Sequence, residues 1–332
     1  MNYSEKEIEE VLNKYKLTED EHKKYYEVIK RLWTADQYPV ENPIAVIIGG
    51  QTGAGKSGLI SYSQKMFPDN NVVIINSDEI KPFHPYGEEI AKKYPELYTK
   101  VTDQESNTWT SKLFEDVRNE KYNLIFEGTM KNNRIADEAI PILQGLGYTV
   151  VVRGLAVSGL ESRLSIHERY EGQVKHKGWG RLVVPEHHNQ TFNGMPNTIE
   201  YIEQNGRYDV LEIYTRGKTP DMPVLKYANH NKNTIEKTSQ VLKNKKFITK
   251  ESQKNNYMNA KDSILKVREE NEEQIIDDCK ERFAAIINSM NDRNASKSEK
   301  EQLLELLELY NNTNEKVKKK DYVNKIVDDE ER

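Results

Sequence analysis

Residues 44–60 read IAVIIGGQTGAGKSGLI. An apolar run gives way to a loop in which Gly49, Gly50, Gly53 and Gly55 fill four of seven positions, and then to a helical pattern. Glycines let the backbone curl so that successive N–H groups point one way, and the helix that follows adds its positive N-terminal end. Gly50-x4-Gly55-Lys56-Ser57 matches the Walker A pattern, with Lys56 reaching the β- and γ-phosphates and the Ser57 hydroxyl on a metal ion. The bland alternative is a glycine turn between a strand and a helix. The candidate phosphate-loop contacts are Gly50, Gln51, Thr52, Gly53, Ala54, Gly55, Lys56 and Ser57. The loop alone does not separate a kinase from a GTPase, an ATPase motor or a nucleotide-binding regulator.

The pattern around it is an alternating one. Short apolar runs at Ala45–Ile48, Val72–Ile75, Tyr122–Phe126, Tyr148–Val152 (continuing weakly through Leu155–Val157) and Val210–Tyr214 predict five strands. Helical stretches fall between them at 56–67, 105–118, 135–146, 160–170 and 186–204. This order predicts an α/β fold, a mostly parallel sheet flanked by helices, with ligands at the carboxyl ends of the strands. Residues 1–40 read as a helical N-terminal segment, 41–230 as the phosphate-loop domain and 231–332 as a charged helical extension. In that extension Ile276, Cys279, Phe283, Ile286 and Met290 form a helical stripe, and Asn294-Ala295-Ser296 punctuates before a leucine-rich helix. Lys318–Lys320 and the acidic residues after them read as a frayed, solvated tail.

Composition narrows the function. The net charge of −5 argues against a nucleic-acid backbone as the main ligand. No apolar run approaches the ~20 residues of a membrane span, and MNYSEKEIEEV has no signal-peptide core. A single cysteine, Cys279, allows no intrachain disulfide and fits a reducing, cytoplasmic setting.

Candidate chemistry follows the strands. Asp78, in NSDE after the second run, can accept the proton of an attacking hydroxyl, hold a metal through water, or cap a helix. Glu127, in LIFEGT after the third, needs a partner: a substrate hydroxyl, or a backbone N–H or arginine. Arg169 in HERYE and Arg181 in the lid-like GWGRLVVP suit a clamp on a transferring phosphate, or else surface ion pairs. His187-His188 lie at no zinc spacing and read as structural.

Taken together and in this order, GGQTGAGKS, VVIINSDEIKPFHP, YNLIFEGT, IHERYE and GRLVVP resemble the zeta toxin family, over about Pro43 to Gly217. The resemblance implies a P-loop kinase using ATP, with GTP as the alternative nucleotide, and Mg²⁺. It implies transfer to the 3′-hydroxyl of UDP-N-acetylglucosamine, which blocks peptidoglycan synthesis. It casts Lys56 and Ser57 on the nucleotide phosphates and Mg²⁺, Asp78 as catalytic base, and Arg169 and Arg181 on the transferred phosphate. Glu127 and Thr129 would contact the sugar nucleotide.

Three positions depart from the family pattern. Ser111 stands where a substrate-binding Glu is expected, Lys131 where Arg is expected, and Ala139 where Thr is expected. Glu115, one turn after Ser111, is a conceivable substitute. Another acceptor, such as NAD, another sugar nucleotide, an antibiotic or a polynucleotide, stays open, as does a non-catalytic nucleotide switch. The family also implies an antitoxin protein that blocks the nucleotide site. The flanking helical segments therefore read as an inhibitor in cis, a partner-binding module, or an extension of the core.

Overall fold

The computed structural model describes residues 3–231 and 259–330. Two capped helices open the chain. Ser4 and Glu7 form a reciprocal capping box at the start of α1 (Glu5–Tyr15), and Thr18 and Glu21 repeat it at α2 (Glu19–Thr34). These helices lie against α6 (Tyr98–Asn119): the Tyr26 hydroxyl donates to Asp116 at 2.6 Å, and the Trp109 indole donates to the His22 carbonyl at 3.0 Å.

The six-stranded sheet has the order β2-β3-β1-β4-β5-β6. Strands β1 (Ile44–Gly49), β2 (Val73–Ile75), β3 (Leu124–Glu127), β4 (Thr149–Leu155) and β5 (Val210–Thr215) run parallel. The sixth, β6 (Val224–His230), pairs antiparallel with β5 and is absent from the sequence reading. Its run VLKYANH follows Pro223, and only Tyr227 within it is buried, so it carries little apolar signal. Because β1 lies between β3 and β4, the chain reverses direction across the sheet at the carboxyl end of β1, where ligands of such sheets collect.

Period-two alternation sends the two faces of β1 into different clusters. Ala45 and Ile47 join a core with Trp109, Leu113, Ile199 and Leu211; Val46 and Ile48 pack with Leu59, Ile60 and Phe67. The helices between strands are α3 (Lys56–Gln64), α4 (Ser77–Ile80), α5 (Gly87–Lys93), α6, α7 (Ile140–Gly145), α8 (Gly159–Lys177) and α9 (Pro185–Gln204). Helix α8 runs seven residues beyond the sequence expectation and stops at Gly178, whose φ of 76° makes the left-handed cap.

Among its described residues the extension has α10 (Ala260–Ile275), α11 (Cys279–Asp292) and α12 (Lys297–Glu330). The stripe from Ile276 to Met290 is buried against Leu160 and Leu164 of α8. Asn294, with φ 55°, does break the helices. Where a frayed tail was expected at Lys318–Lys320, α12 continues to Glu330. The largest core cluster contains Leu17, Tyr26 and Ile29 from the N-terminal segment and Ala260, Ile264 and Val267 from the extension. No helix among the described residues is long and apolar enough to cross a membrane.

Candidate functional site

The phosphate loop leaves β1 at Gly49. Gly53 and Gly55 take left-handed backbone angles, φ 79° and 96°. A Cβ on Gly53 would lie 2.1 Å from the Ser162 carbonyl oxygen, so no other residue fits there. The Ala54 N–H donates to the Gln51 carbonyl at 3.1 Å and closes the turn. Gln51 is fully buried; its amide donates to the Val157 carbonyl at 2.8 Å and to Ser162 Oγ at 3.3 Å. Lys56 donates to the carbonyls of Gly50 at 3.0 Å and Gln51 at 3.3 Å, and lies 3.4 Å from Glu127 Oε1. Thr52 is half-buried beside the glycines, and Ser57 is exposed in the first turn of α3.

The carboxylates sit one strand and two strands from β1. Glu127 ends β3, in register with Ile48 of β1. Asn76, the cap of α4, donates to Glu127 Oε2 at 2.6 Å and accepts from the Asp78 N–H at 2.9 Å. Burial pushes the Glu127 carboxyl above its ordinary range even though Lys56 pulls the other way; Asp78 and Glu79 add to the rise. Asp78 is different. Burial would raise its carboxyl, but Arg181 and Lys81 outweigh it and hold it well below the usual range. Arg181 binds it with both arms, at 2.7 and 2.6 Å. Lys81, only 6% exposed, bridges Asp78 and Asp103 at 2.8 Å each. The Asp78 side chain still keeps 45% of its surface open to solvent, so an acceptor can reach it.

Arg181 reaches Asp78 from the segment between α8 and α9. Its backbone N–H donates to Gln173 at 2.9 Å, and the neighbouring Trp179 ring lies 5.1 Å from that of Tyr98. Arg169 on α8 is exposed; partial desolvation and then the like charge of Arg181 lower its pKa, while Asp78 and Glu127 act in the opposite sense. Asp78, Glu127, Lys56, Arg169 and Arg181 thus share one electrostatic neighbourhood at the carboxyl ends of β1, β2 and β3.

The acceptor-side candidates are less gathered. Thr129 is half-buried after β3. Lys131 is exposed, and its carbonyl lies against Gly194 of α9. Ser111 is exposed on α6 with its hydroxyl donating to the Asn107 carbonyl at 2.9 Å; Glu115 is exposed one turn later. Ala139 packs on the core. Among the described residues, no hydrogen bond or ion pair joins Ser111, Thr129 or Lys131 to the Asp78 cluster.

Several residues escaped the sequence reading. Lys81 and Asp103 complete the Asp78 network. Arg216, directly after β5, donates to the Ala54 carbonyl at 2.9 Å and to that of Gly53. Arg268 of α10 reaches the Gln51 side-chain oxygen at 3.4 Å and stacks on Phe192. The rule that found Asp78 and Glu127, a charged residue just past a strand, also points to Arg216. His188 is buried with Nε2 2.8 Å from Ser162 Oγ; burial lowers its pKa to about 4. Among the described residues no three His, Cys, Asp or Glu side chains are gathered around a metal position.

A mostly parallel sheet with a glycine-rich phosphate loop after an inner strand and carboxylates at or just past the ends of the two strands on one side of it defines a P-loop kinase-like α/β fold. The model of the zeta toxin family matches residues 30–223, more than half of the chain. The chain belongs to that family. Toxin zeta of Streptococcus agalactiae is 30% identical over 189 residues, covering 57% of this chain and 65% of its own length. Toxin PezT of Streptococcus pneumoniae is 28% identical over 180 residues, covering 54% of this chain and 71% of its own. The chain therefore spans about two thirds of the length of these relatives. A solved structure from the PezAT chromosomal toxin–antitoxin system of Streptococcus pneumoniae superposes with a TM-score of 0.63 at 22% identity, over 84% of this chain and 98% of its own. That likeness of fold covers more of the chain than the family match does.

Proposed function

We propose that this protein is an ATP-dependent small-molecule kinase. The observation that carries the reading is the junction of Asp78, Arg181 and Lys81 beside the Lys56–Glu127 pair, at the carboxyl ends of three adjacent strands. The phosphate-loop N–H groups and Lys56 would hold the nucleotide phosphates. Mg²⁺ fits the oxygen donors at hand: the Ser57 hydroxyl is exposed in the first turn of α3, and Mg²⁺ takes few protein ligands besides substrate phosphates. When bound, it would neutralise charge on the phosphates.

Asp78 would accept the proton of the acceptor hydroxyl. Its depressed pKa keeps it ionised but makes it a weak base while Arg181 holds it. Arg181 would therefore pass from Asp78 to the transferring phosphate, joining Arg169 there, and so free the base as it stabilises the developing charge. Glu127, poised between Lys56 and Asn76, and Thr129 would face the acceptor, with Lys131 and Ser111 at the edge of its pocket.

Family membership makes UDP-N-acetylglucosamine the first acceptor to try, with phosphorylation at its 3′-hydroxyl and a block in peptidoglycan synthesis as the consequence. Ser111, Lys131 and Ala139 are the residues on which a different acceptor would turn. An antitoxin protein is the partner inferred from kinship with PezT, and a cytoplasmic location follows from that substrate. Residues 41–230 would form the kinase domain, with 1–40 and 231–332 as its helical flanks.

The test is direct. Purified protein is incubated with Mg·ATP and UDP-N-acetylglucosamine, beside other sugar nucleotides and NAD, and products are read by mass. One added phosphate on UDP-N-acetylglucosamine, absent with Asp78→Ala, supports the reading. Phosphate on another acceptor moves the specificity. ATP binding without transfer to any member of the panel favours a nucleotide switch.

A further inference from the structure

Arg216 is tied to the phosphate loop on one side and to α8 on the other. We propose that it is a positioning residue that keeps the loop in register with the face of α8 that carries Arg169; this rests on the kinase reading above. Its Nε donates to the Ala54 carbonyl at 2.9 Å and its Nη2 to the Gly53 carbonyl. Its Nη1 donates to Glu161 Oε1 at 2.9 Å and to Ser165 Oγ at 3.1 Å. In a trans peptide the C=O and N–H point to opposite sides. Holding the Ala54 carbonyl toward Arg216 therefore turns the Gly55 N–H away from it, and the Ala54 N–H is already spent on Gln51. Gly55 itself admits the guanidinium, since a Cβ there would sit 3.1 Å from Nε.

The other half of the argument is helical spacing. Glu161, Ser165 and Arg169 fall four residues apart on α8 and share one face. Arg216 grips the first two, which fixes where the third stands relative to the loop. Five donors in a rigid fork allow one side chain to serve both anchors; a lysine could not. The competing explanation is an ordinary ion pair that fastens β5 to α8 and has no bearing on nucleotide.

Titration calorimetry of the full chain with Mg·ATP, together with steady-state kinetics on whichever acceptor the panel identifies, separates the two. Arg216→Ala is expected to weaken Mg·ATP binding roughly tenfold to a hundredfold, the equivalent of losing charge-assisted hydrogen bonds. Glu161→Ala combined with Ser165→Ala leaves the loop bonds intact and removes only the α8 anchor, so it should lower turnover with little change in Mg·ATP affinity. Arg216→Lys, which keeps the charge, should bind Mg·ATP almost as poorly as Arg216→Ala and carries the test if that variant does not fold. Wild-type affinity in both Arg216 variants overturns the inference alone. Failure of the wild type to bind Mg·ATP overturns the kinase reading, and the inference with it.

Discussion

Arg181 and Asp78 meet through two parallel hydrogen bonds of 2.7 and 2.6 Å although 103 residues separate them in the chain. The pair ties the segment after α8 to the start of α4. It also couples two tasks in the proposed mechanism, because one cation both masks the base and waits for the phosphate. Asp78→Ala should lower turnover by roughly 10²–10⁴, the usual contribution of a positioned base, and leave Mg·ATP affinity nearly unchanged. Lys56→Ala should instead lose Mg·ATP binding. Induced in a bacterial host, both variants should relieve any growth arrest; arrest that persists with Asp78→Ala would show that Asp78 is dispensable as a base.

Glu127 gives a pH signature of the opposite sign to Asp78. Its folded pKa is raised by burial, so the folded protein holds that proton more readily than the unfolded chain. The stability linked to the proton is fully present below the ordinary Glu pKa of about 4.3 and is lost as pH rises through the folded value. Glu127→Gln is therefore expected to raise the melting temperature at pH 7 and to converge on wild type near pH 4. A melting difference that stays constant across that range would show that the ionised carboxylate carries no folding penalty.

The loop, its strand and the two carboxylates were legible because each is written locally. Glycines at 53 and 55, the run before them and acids just past two apolar runs need no knowledge of the fold. The strand β6 was hidden because it lies at the sheet edge and buries almost nothing. The first turns of α6 were hidden because YTKVTDQES is polar, although Tyr98, Val101 and Thr102 turn inward. Lys81, Asp103 and Arg268 were hidden for a different reason. Each matters through a partner distant in sequence or on another element, and a single sequence does not record such pairings.

The phosphate loop should tolerate no side chain at position 53. Gly53→Ala combines a left-handed φ with a Cβ 2.1 Å from a carbonyl oxygen of α8, so loop and helix must move apart. Mg·ATP binding should fall below detection by calorimetry while far-UV circular dichroism stays native. Tight binding by this variant would mean that the loop holds nucleotide in another conformation.

Beneath the loop, Arg153 of β4 and Glu212 of β5 pair at 2.7 Å with side chains 4% and 5% exposed, and Arg153 also donates to Ser63 Oγ at 2.6 Å. Removing one partner strands a buried charge. Glu212→Ala should cost about 3–5 kcal/mol of stability in urea unfolding. Replacing both by apolar residues of similar volume, Arg153→Met with Glu212→Leu, should recover most of it. A double variant as unstable as the single one would show that the hydrogen bond to Ser63 dominates instead.

The C-terminal helices decide between an inhibitor and a piece of the core. Ala260 and Ile264 are fully buried in the cluster that contains Ile199 and Leu211, and Glu203 accepts from the Ala260 N–H at 2.9 Å. Arg282 of α11 and Arg293, its C-cap residue, add ion pairs to Glu168 and Glu171, each 2.6 Å, on both sides of Arg169. An inhibitor in cis would release activity on removal. A core element would take stability with it. Ile264→Ala should cost about 2–5 kcal/mol, and a chain ended at residue 230 should be insoluble or melt far below the full protein. A soluble truncated chain with higher turnover would instead make the extension an inhibitor. Arg282→Ala separates the two roles without exposing the core: lower turnover at an unchanged melting temperature would mean that the extension supports α8 in catalysis.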